Sequence, residues 1–134
     1  MANPPESINL HRKSAILQLQ WPGEASHELS AEFLRVHSPS AEVRGHGPGQ
    51  EVLQSGKRQV AIRDVTAVGN YAIRLDFDDG HNSGIYSWDY LYELCSNREQ
   101  LWQQYLDKLQ AAGLRRDPLP ADTQVITIHP SPRD

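Results

Sequence analysis

The chain has 134 residues, which suits one domain that can bury a core of its own without disulfide or metal support. It carries 13 Lys and Arg residues against 17 Asp and Glu residues, and the net charge of −4 argues against a general nucleic-acid binder, which needs a basic face. The one cysteine, Cys95, excludes an internal disulfide and a cysteine-rich zinc site. No apolar run suits a signal peptide or a membrane span, so we expect a cytoplasmic protein.

The first third of the chain predicts a β-hairpin followed by a short helix. Residues 1–6 are polar and contain two prolines, so we expect them to be disordered. Residues 8–12 form the first predicted strand. Residues 15–21 form the second, because apolar and polar side chains alternate along them. Ser30 suits the N-cap of a helix over residues 31–36.

A long polar segment separates this hairpin from the next strands. Residues 37–59 are rich in Ser, Pro and Gly, and a loop of that length is usually functional or mobile. Residues 60–68 then predict a strand whose apolar side chains change face part of the way along. A β-bulge near Arg63 and Asp64 explains that change.

The middle of the chain predicts two further strands and the start of a helical region. A tight turn at Gly69 is followed by residues 71–77, the cleanest alternation in the chain. Residues 84–86 suit a short strand after a polar turn. Ser87 is then expected to cap a helix over residues 88–95.

The last third predicts a long helix and a tail. Residues 96–99, with the sequence SNRE, match a capping box, and the helix that it opens reaches residue 112 and ends at Gly113. Residues 114–134 carry four prolines and are expected to form a mobile tail. An edge strand over residues 125–128 is an alternative for part of it.

These elements predict an α+β domain over residues 7–113. It consists of a small antiparallel β-sheet, a short helix after the first hairpin, and two C-terminal helices packed on the sheet.

Several kinds of chemistry can be weighed from the residues. A hydrolase at the polar turn lacks the G-x-S-x-G elbow, and would use Asp78, Asp79, His81 and Ser83. A Gly-rich stretch, residues 45–49, lacks the spacing of a phosphate loop. Local nucleic-acid binding would need a basic patch made of Arg44, Lys57, Arg58 and Arg63. A small metal-binding or enzymatic protein would bring together His37, His46 and His81.

One motif resembles a known family. The sequence FDDGHNSGIYSW, residues 77–88, with Leu91 and Cys95, is similar to the N-terminal domain of γ-butyrobetaine hydroxylase. It is closer still to bacterial single-domain proteins named after that domain, which are of unknown function. Similarity at residues 34–43 and 69–72 extends the resemblance over residues 8–95.

The resemblance implies the fold but not the metal of the hydroxylases. In those enzymes the domain holds a structural zinc through three cysteines and one histidine. The cysteine positions correspond here to Ser38, Ser40 and Val43, so that His81 is the remaining ligand position. Two alcohols and one imidazole do not hold a structural zinc, and we expect no metal and no other cofactor. We expect hydrogen bonds to hold the Ser38–Ser40 turn instead, with His81 among the partners. The hydroxylase iron lies in a separate domain, so that activity is not carried over.

We therefore expect a non-enzymatic accessory or protein-interaction module whose partner and oligomeric state the sequence does not give. Fusion of similar domains to an iron–sulfur carrier implies, by association, a role near iron–sulfur cluster assembly. The expected partner surface joins the long loop to the turn at His81. Its residues are Arg35, Ser38, Ser40, Glu42, Arg44, His46, Lys57, Asp79 and His81.

Overall fold

The computed structural model describes residues 3–45, residue 47 and residues 49–118. Its first sheet is antiparallel and consists of β1 (Ser7–His11), β2 (Ile16–Gln20) and β3 (His27–Ser30), in that order. The alternation expected of the second strand is present, because Leu17 and Leu19 are fully buried while their neighbours are only half-buried.

Two short helices follow the first sheet. Helix α1 (Ala31–Val36) begins where we expected, since the Phe33 backbone N–H donates to the Ser30 hydroxyl at 3.0 Å. Helix α2 (Ala41–Arg44) lies within the predicted long loop, which is therefore not without structure. Ser40 accepts from the Glu42 backbone N–H and acts as the N-cap of that single turn.

The second sheet is also antiparallel and consists of β4 (Ile62–Val68), β5 (Ala72–Phe77) and β6 (Gly84–Ser87). The predicted bulge is present, because the pairing of β4 with β5 shifts register between Ile62 and Asp64. The α+β class is confirmed, but the strands form two three-stranded sheets instead of one. The helical segment after β3 separates the two sheets along the chain.

Two C-terminal helices complete the fold. Helix α3 (Trp88–Ser96) is capped by Ser87, as expected. Helix α4 (Arg98–Ala112) starts after Asn97, which makes no side-chain capping bond. The predicted capping box is therefore wrong, and the reason is that Ser96 still belongs to α3. Gly113 ends α4 in the left-handed conformation with φ 69°.

The two sheets and α3 share one hydrophobic core. Its fully buried members come from β2, β3, α1, β5, β6 and α3 and include Leu19, Leu29, Phe77 and Leu91. Helix α4 contributes Tyr105 and Leu109 to a second, smaller cluster with Val36 of α1. The long loop contacts this second cluster through Leu53.

Both ends of the described chain are held against the domain. At the N-terminal end, Glu6 donates its backbone N–H to the Gln20 carbonyl at 2.7 Å. The start of the predicted tail also makes contacts, because Arg116 forms two hydrogen bonds with the buried carboxylate of Glu32, at 2.8 and 2.9 Å. The alternative edge strand at residues 125–128 lies outside the described residues. Within the described part, no helix combines the length and apolar character needed to cross a membrane.

Candidate functional site

Three polar side chains form a chain of hydrogen bonds between α1, α2 and the β5–β6 turn. The Ser38 hydroxyl lies 2.8 Å from Nε2 of His81, and Nδ1 of His81 lies 2.8 Å from a carboxylate oxygen of Glu42. The neutral ring satisfies both contacts when Nδ1–H donates to Glu42 and Nε2 accepts from Ser38. The expected hydrogen bond between the Ser38–Ser40 turn and His81 is therefore present.

The order Ser–His–Glu is that of a hydrolase triad, but its burial is the reverse of a catalytic one. A catalytic serine faces substrate while its acid lies behind the histidine. Here Ser38 is 1% exposed, whereas the Glu42 side chain is 68% exposed. The serine hydroxyl is also fixed by the Ser40 backbone N–H at 3.3 Å. This arrangement fastens the segment after α1 to the turn before β6.

A second set of hydrogen bonds reinforces the same junction. The hydroxyls of Ser40 and Ser83 lie 2.7 Å apart, and Ser83 donates to Glu42 at 3.2 Å. Ser40 thus caps α2 and contacts the β5–β6 turn at the same time. His81 and Ser83 of the polar turn, which suggested a hydrolase from the sequence, are therefore engaged in structural hydrogen bonds.

Asp79 links α1 and the long loop to the β5–β6 turn. One of its oxygens accepts from Nε of Arg35 at 2.9 Å and from Nζ of Lys57 at 2.7 Å. Its other oxygen accepts from the His81 backbone N–H at 3.2 Å. Burial raises the pKa of this carboxyl, but the hydrogen bonds from Lys57 and His81 and the charge of Arg35 outweigh it and lower the pKa to about 2.

Arg35 is a buried charge with an incomplete set of hydrogen bonds. Only 7% of the residue is exposed, and its Nη1 atom is buried without a hydrogen-bond partner. Asp79 is therefore the counter-ion on which the buried guanidinium depends.

Half of the described residues of the expected partner surface are internal. Arg35, Ser38, Ser40 and His81 are buried, and their polar groups form hydrogen bonds within the fold. Lys57 is half-buried and pairs with Asp79, while Glu42, Arg44 and Asp79 are exposed. His46 lies outside the described residues.

His37 and His81, the two described members of the expected histidine cluster, make different contacts. Nδ1 of His37 donates to the Phe33 carbonyl at 2.8 Å, and its ring packs against Phe33 and Tyr105. Burial lowers the pKa of His37, and the nearby Lys108 and Arg44 charges lower it further. Burial also lowers the pKa of His81, assisted by the Arg35 charge. The described residues contain no group of three or more His, Cys, Asp or Glu placed to hold a metal.

Three of the basic residues considered for nucleic acid contact other side chains of the domain. Lys57 pairs with Asp79 at 2.7 Å and Arg58 with Asp117 at 2.9 Å. Arg44 stacks its guanidinium over the ring of Tyr90, 4.7 Å from the ring centre.

A groove of about 600 Å³ lies between the long loop and α4. Sequence reasoning missed it, although Val43, Val52 and Leu53 were visible as apolar residues in a polar loop. Those three residues line it together with the inner face of α4. The full lining is Val36, His37, Ser38, Val43, Arg44, Glu51, Val52, Leu53, Gln54, Tyr90, Leu101, Gln104, Tyr105, Lys108, Ala111 and Ala112.

Hydrogen bonds hold the segments that line the groove. Tyr90 donates its hydroxyl to the His37 carbonyl at 2.6 Å, and Tyr105 donates to the Gln54 carbonyl at 2.9 Å. Val52 bonds back to α2 through its backbone N–H and the Val43 carbonyl at 2.7 Å, while 53% of the residue stays exposed. A preformed groove with an exposed apolar edge is a common form of binding site.

Comparison with known proteins agrees with the resemblance seen in the sequence. Residues 8–92 match the family described as gamma-butyrobetaine hydroxylase-like, N-terminal. A protein with an NMR solution structure is 50% identical, with a TM-score of 0.79 over 95% of this chain and 100% of its own. Another, also solved by NMR, is 44% identical, with a TM-score of 0.74 over 96% of this chain and 94% of its own.

A third structure gives the same assignment. It is the crystal structure of a protein of unknown function from Acidithiobacillus ferrooxidans that belongs to the DUF971 family. It is 33% identical, with a TM-score of 0.57 over 69% of this chain and 97% of its own. No curated protein sequence matches significantly. The chain therefore belongs to the γ-butyrobetaine hydroxylase-like N-terminal domain family.

Proposed function

We propose that the chain is a non-enzymatic protein-interaction module, and that a partner protein docks in the groove between the long loop and α4. The observation that carries the proposal is the combination of a preformed groove and the exposed apolar edge at Val52. This places the docking site next to the surface expected from sequence and not on it. Ser38 and Arg44 belong to both, and of these two only Arg44 is exposed.

The buried hydrogen bonds at His81 support the proposal indirectly. They hold the segment after α1, and hence one wall of the groove, against the second sheet. A wall that is rigid before binding loses little conformational entropy when a partner docks. In this interpretation His81 and Ser38 shape the site without touching the partner.

Replacing Val52 by Asp should lower the recovery of bound partner about tenfold in a pull-down from the native host, because it places a charge on the apolar edge of the contact. Its effect on folding should be small, since the side chain is half exposed. Tyr71→Asp is the matched control, because Tyr71 is 58% exposed and does not line the groove. Equal recovery with wild type and Val52→Asp would rule out the groove as the docking site.

A link to iron–sulfur cluster assembly is a further part of the proposal and rests on the family resemblance alone. The same pull-down addresses it. Assembly proteins recovered with wild type and lost with Val52→Asp would support the link. Their absence from the wild-type sample would remove it.

We also propose that the Ser38–His81 junction is the remnant of a zinc clamp. The residues now present do not fit zinc, because both ring nitrogens of His81 are engaged, one with Ser38 and one with Glu42, and the cysteine positions carry two alcohols and a valine. Restoring cysteine at positions 38, 40 and 43 should yield about one zinc per chain by elemental analysis of protein purified without a His tag. The matched control adds His81→Ala to the three cysteines and should bind weakly. Zinc contents that are equal in the two variants would contradict the remnant.

A further inference from the structure

The charges around the groove are unbalanced. Two cations, Arg44 and Lys108, and one anion, Glu51, line it. Both cations act on His37, whose pKa they lower together with burial. The groove therefore has a positive side, although the whole chain carries a net charge of −4.

The positive side is partly preorganised. The Arg44 guanidinium rests on the ring of Tyr90, and the hydroxyl of Tyr90 is tied to the His37 carbonyl. Arg44 also forms the last residue of α2, which Ser40 caps. An arginine held by stacking loses less side-chain freedom when it binds an anion.

The floor beside these cations is apolar. Val36, Val43 and Tyr105 are buried there, and Val52 with Leu53 forms the opposite edge. An occupant must therefore offer apolar surface to the floor and negative charge to the rim.

We propose that the groove recognises a short segment of a partner protein in which a carboxylate lies next to apolar side chains. This inference rests on the proposed function and names the chemistry of the partner. The carboxylate would lie between Arg44 and Lys108, and the apolar side chains would cover Val52 and Leu53. Charge complementarity of this kind selects among partners more than it adds to affinity.

The test is an NMR titration of the full chain with three blocked peptides, Leu-Glu-Leu-Glu-Leu and its Gln and Lys counterparts. The Glu peptide should shift the backbone amides of Leu53, Ala111 and Ala112. The affinity of the chain for the Gln peptide should be at least threefold lower than for the Glu peptide, and its affinity for the Lys peptide should be lower still. Arg44→Gln and Lys108→Gln should each weaken the Glu peptide about two- to fivefold. Arg58→Gln is the matched control, because Arg58 pairs with Asp117 and does not line the groove.

Three results would overturn the inference. The first is a Glu peptide that binds no better than the Gln peptide, which includes a Glu peptide that shifts no groove resonance at millimolar concentration. Another is a groove whose resonances change with protein concentration alone, which would point to a second copy as the occupant. The third is a chain ended after Pro118 whose groove resonances differ from those of the full chain, which would point to residues 119–134. The Val52→Asp pull-down decides the docking site independently of these results.

Discussion

Asp79→Asn is expected to destabilise the folded domain by about 3 kcal/mol, because it removes the counter-ion of a buried arginine. Arg35 is 7% exposed and contacts Asp79 through Nε at 2.9 Å. The Nη1 atom of Arg35 already lacks a hydrogen-bond acceptor, so no second acceptor at that atom compensates for the loss of the Asp79 charge. The neutral amide keeps the shape of the side chain and can still accept from the His81 backbone N–H. The lost stability therefore measures the removal of the Asp79 charge and not a disturbance of the β5–β6 turn.

Urea unfolding at pH 7 measures this loss, and the neighbouring carboxylate provides the control. Asp78 accepts from the Ala61 backbone N–H at 3.0 Å, a bond that an asparagine at that position can retain. Asp78→Asn should therefore cost less than about 1 kcal/mol. Equal effects of the two substitutions would mean that the Arg35–Asp79 pair contributes no more than a surface charge does.

The same pair predicts how stability depends on pH. The folded state lowers the pKa of Asp79 to about 2 from an unfolded value near 4, so it favours the charged form. The stabilisation is thus complete above about pH 4 and is lost as the pH falls toward 2. With screening at this partly exposed site, the loss should be about 1 to 2 kcal/mol. The difference in the free energy of unfolding between wild type and Asp79→Asn should narrow as the pH falls from about 4 toward 2, and it should stay constant from pH 5 to 7.

The local elements could be predicted because their signals are local. Alternation located strands β2 and β5, and the serines at positions 30 and 87 located two helix starts through a single side-chain bond each. The bulge at Arg63 followed from a change of face along one strand. What the sequence did not reveal is that the strands divide into two sheets. Each strand pairs with its neighbour along the chain, and local patterns do not indicate whether the two sets of strands join edge to edge.

The hydrogen bond between the Ser38–Ser40 turn and His81 could be predicted from the sequence, but the burial of the residues around it could not. Arg35, Ser38 and Ser40 point inward because Asp79, His81 and Ser83 provide partners for their polar groups. Burial of a polar residue cannot be read from its type, since serine and arginine are usually exposed. The groove was missed because α4 and the long loop are some fifty residues apart and only the fold brings them together. Apolar residues isolated in the polar loop were the one available signal.

Gly84→Ala is expected to cost about 2 kcal/mol, although its backbone conformation suits any residue. A methyl group at this position would lie 2.4 Å from the Ser38 hydroxyl and 3.2 Å from the ring of Tyr86. The hydroxyl can rotate away only by giving up its bond to His81, which leaves a buried ring nitrogen without a partner. Chemical unfolding measures the loss. Gly47→Ala is the control, because nothing lies within 4 Å of that position.

A double-mutant cycle separates this cause from general overpacking. Ser38→Ala alone should cost about 1 to 2 kcal/mol, since it leaves Nε2 of His81 unpaired. It also removes the atom that a methyl group at position 84 would meet. The double variant should therefore be more stable than the sum of the two losses predicts, by about 1 kcal/mol or more. Additive losses would indicate that the clash involves Tyr86 instead, and that β6 can approach the Ser38–Ser40 turn without a glycine at this point.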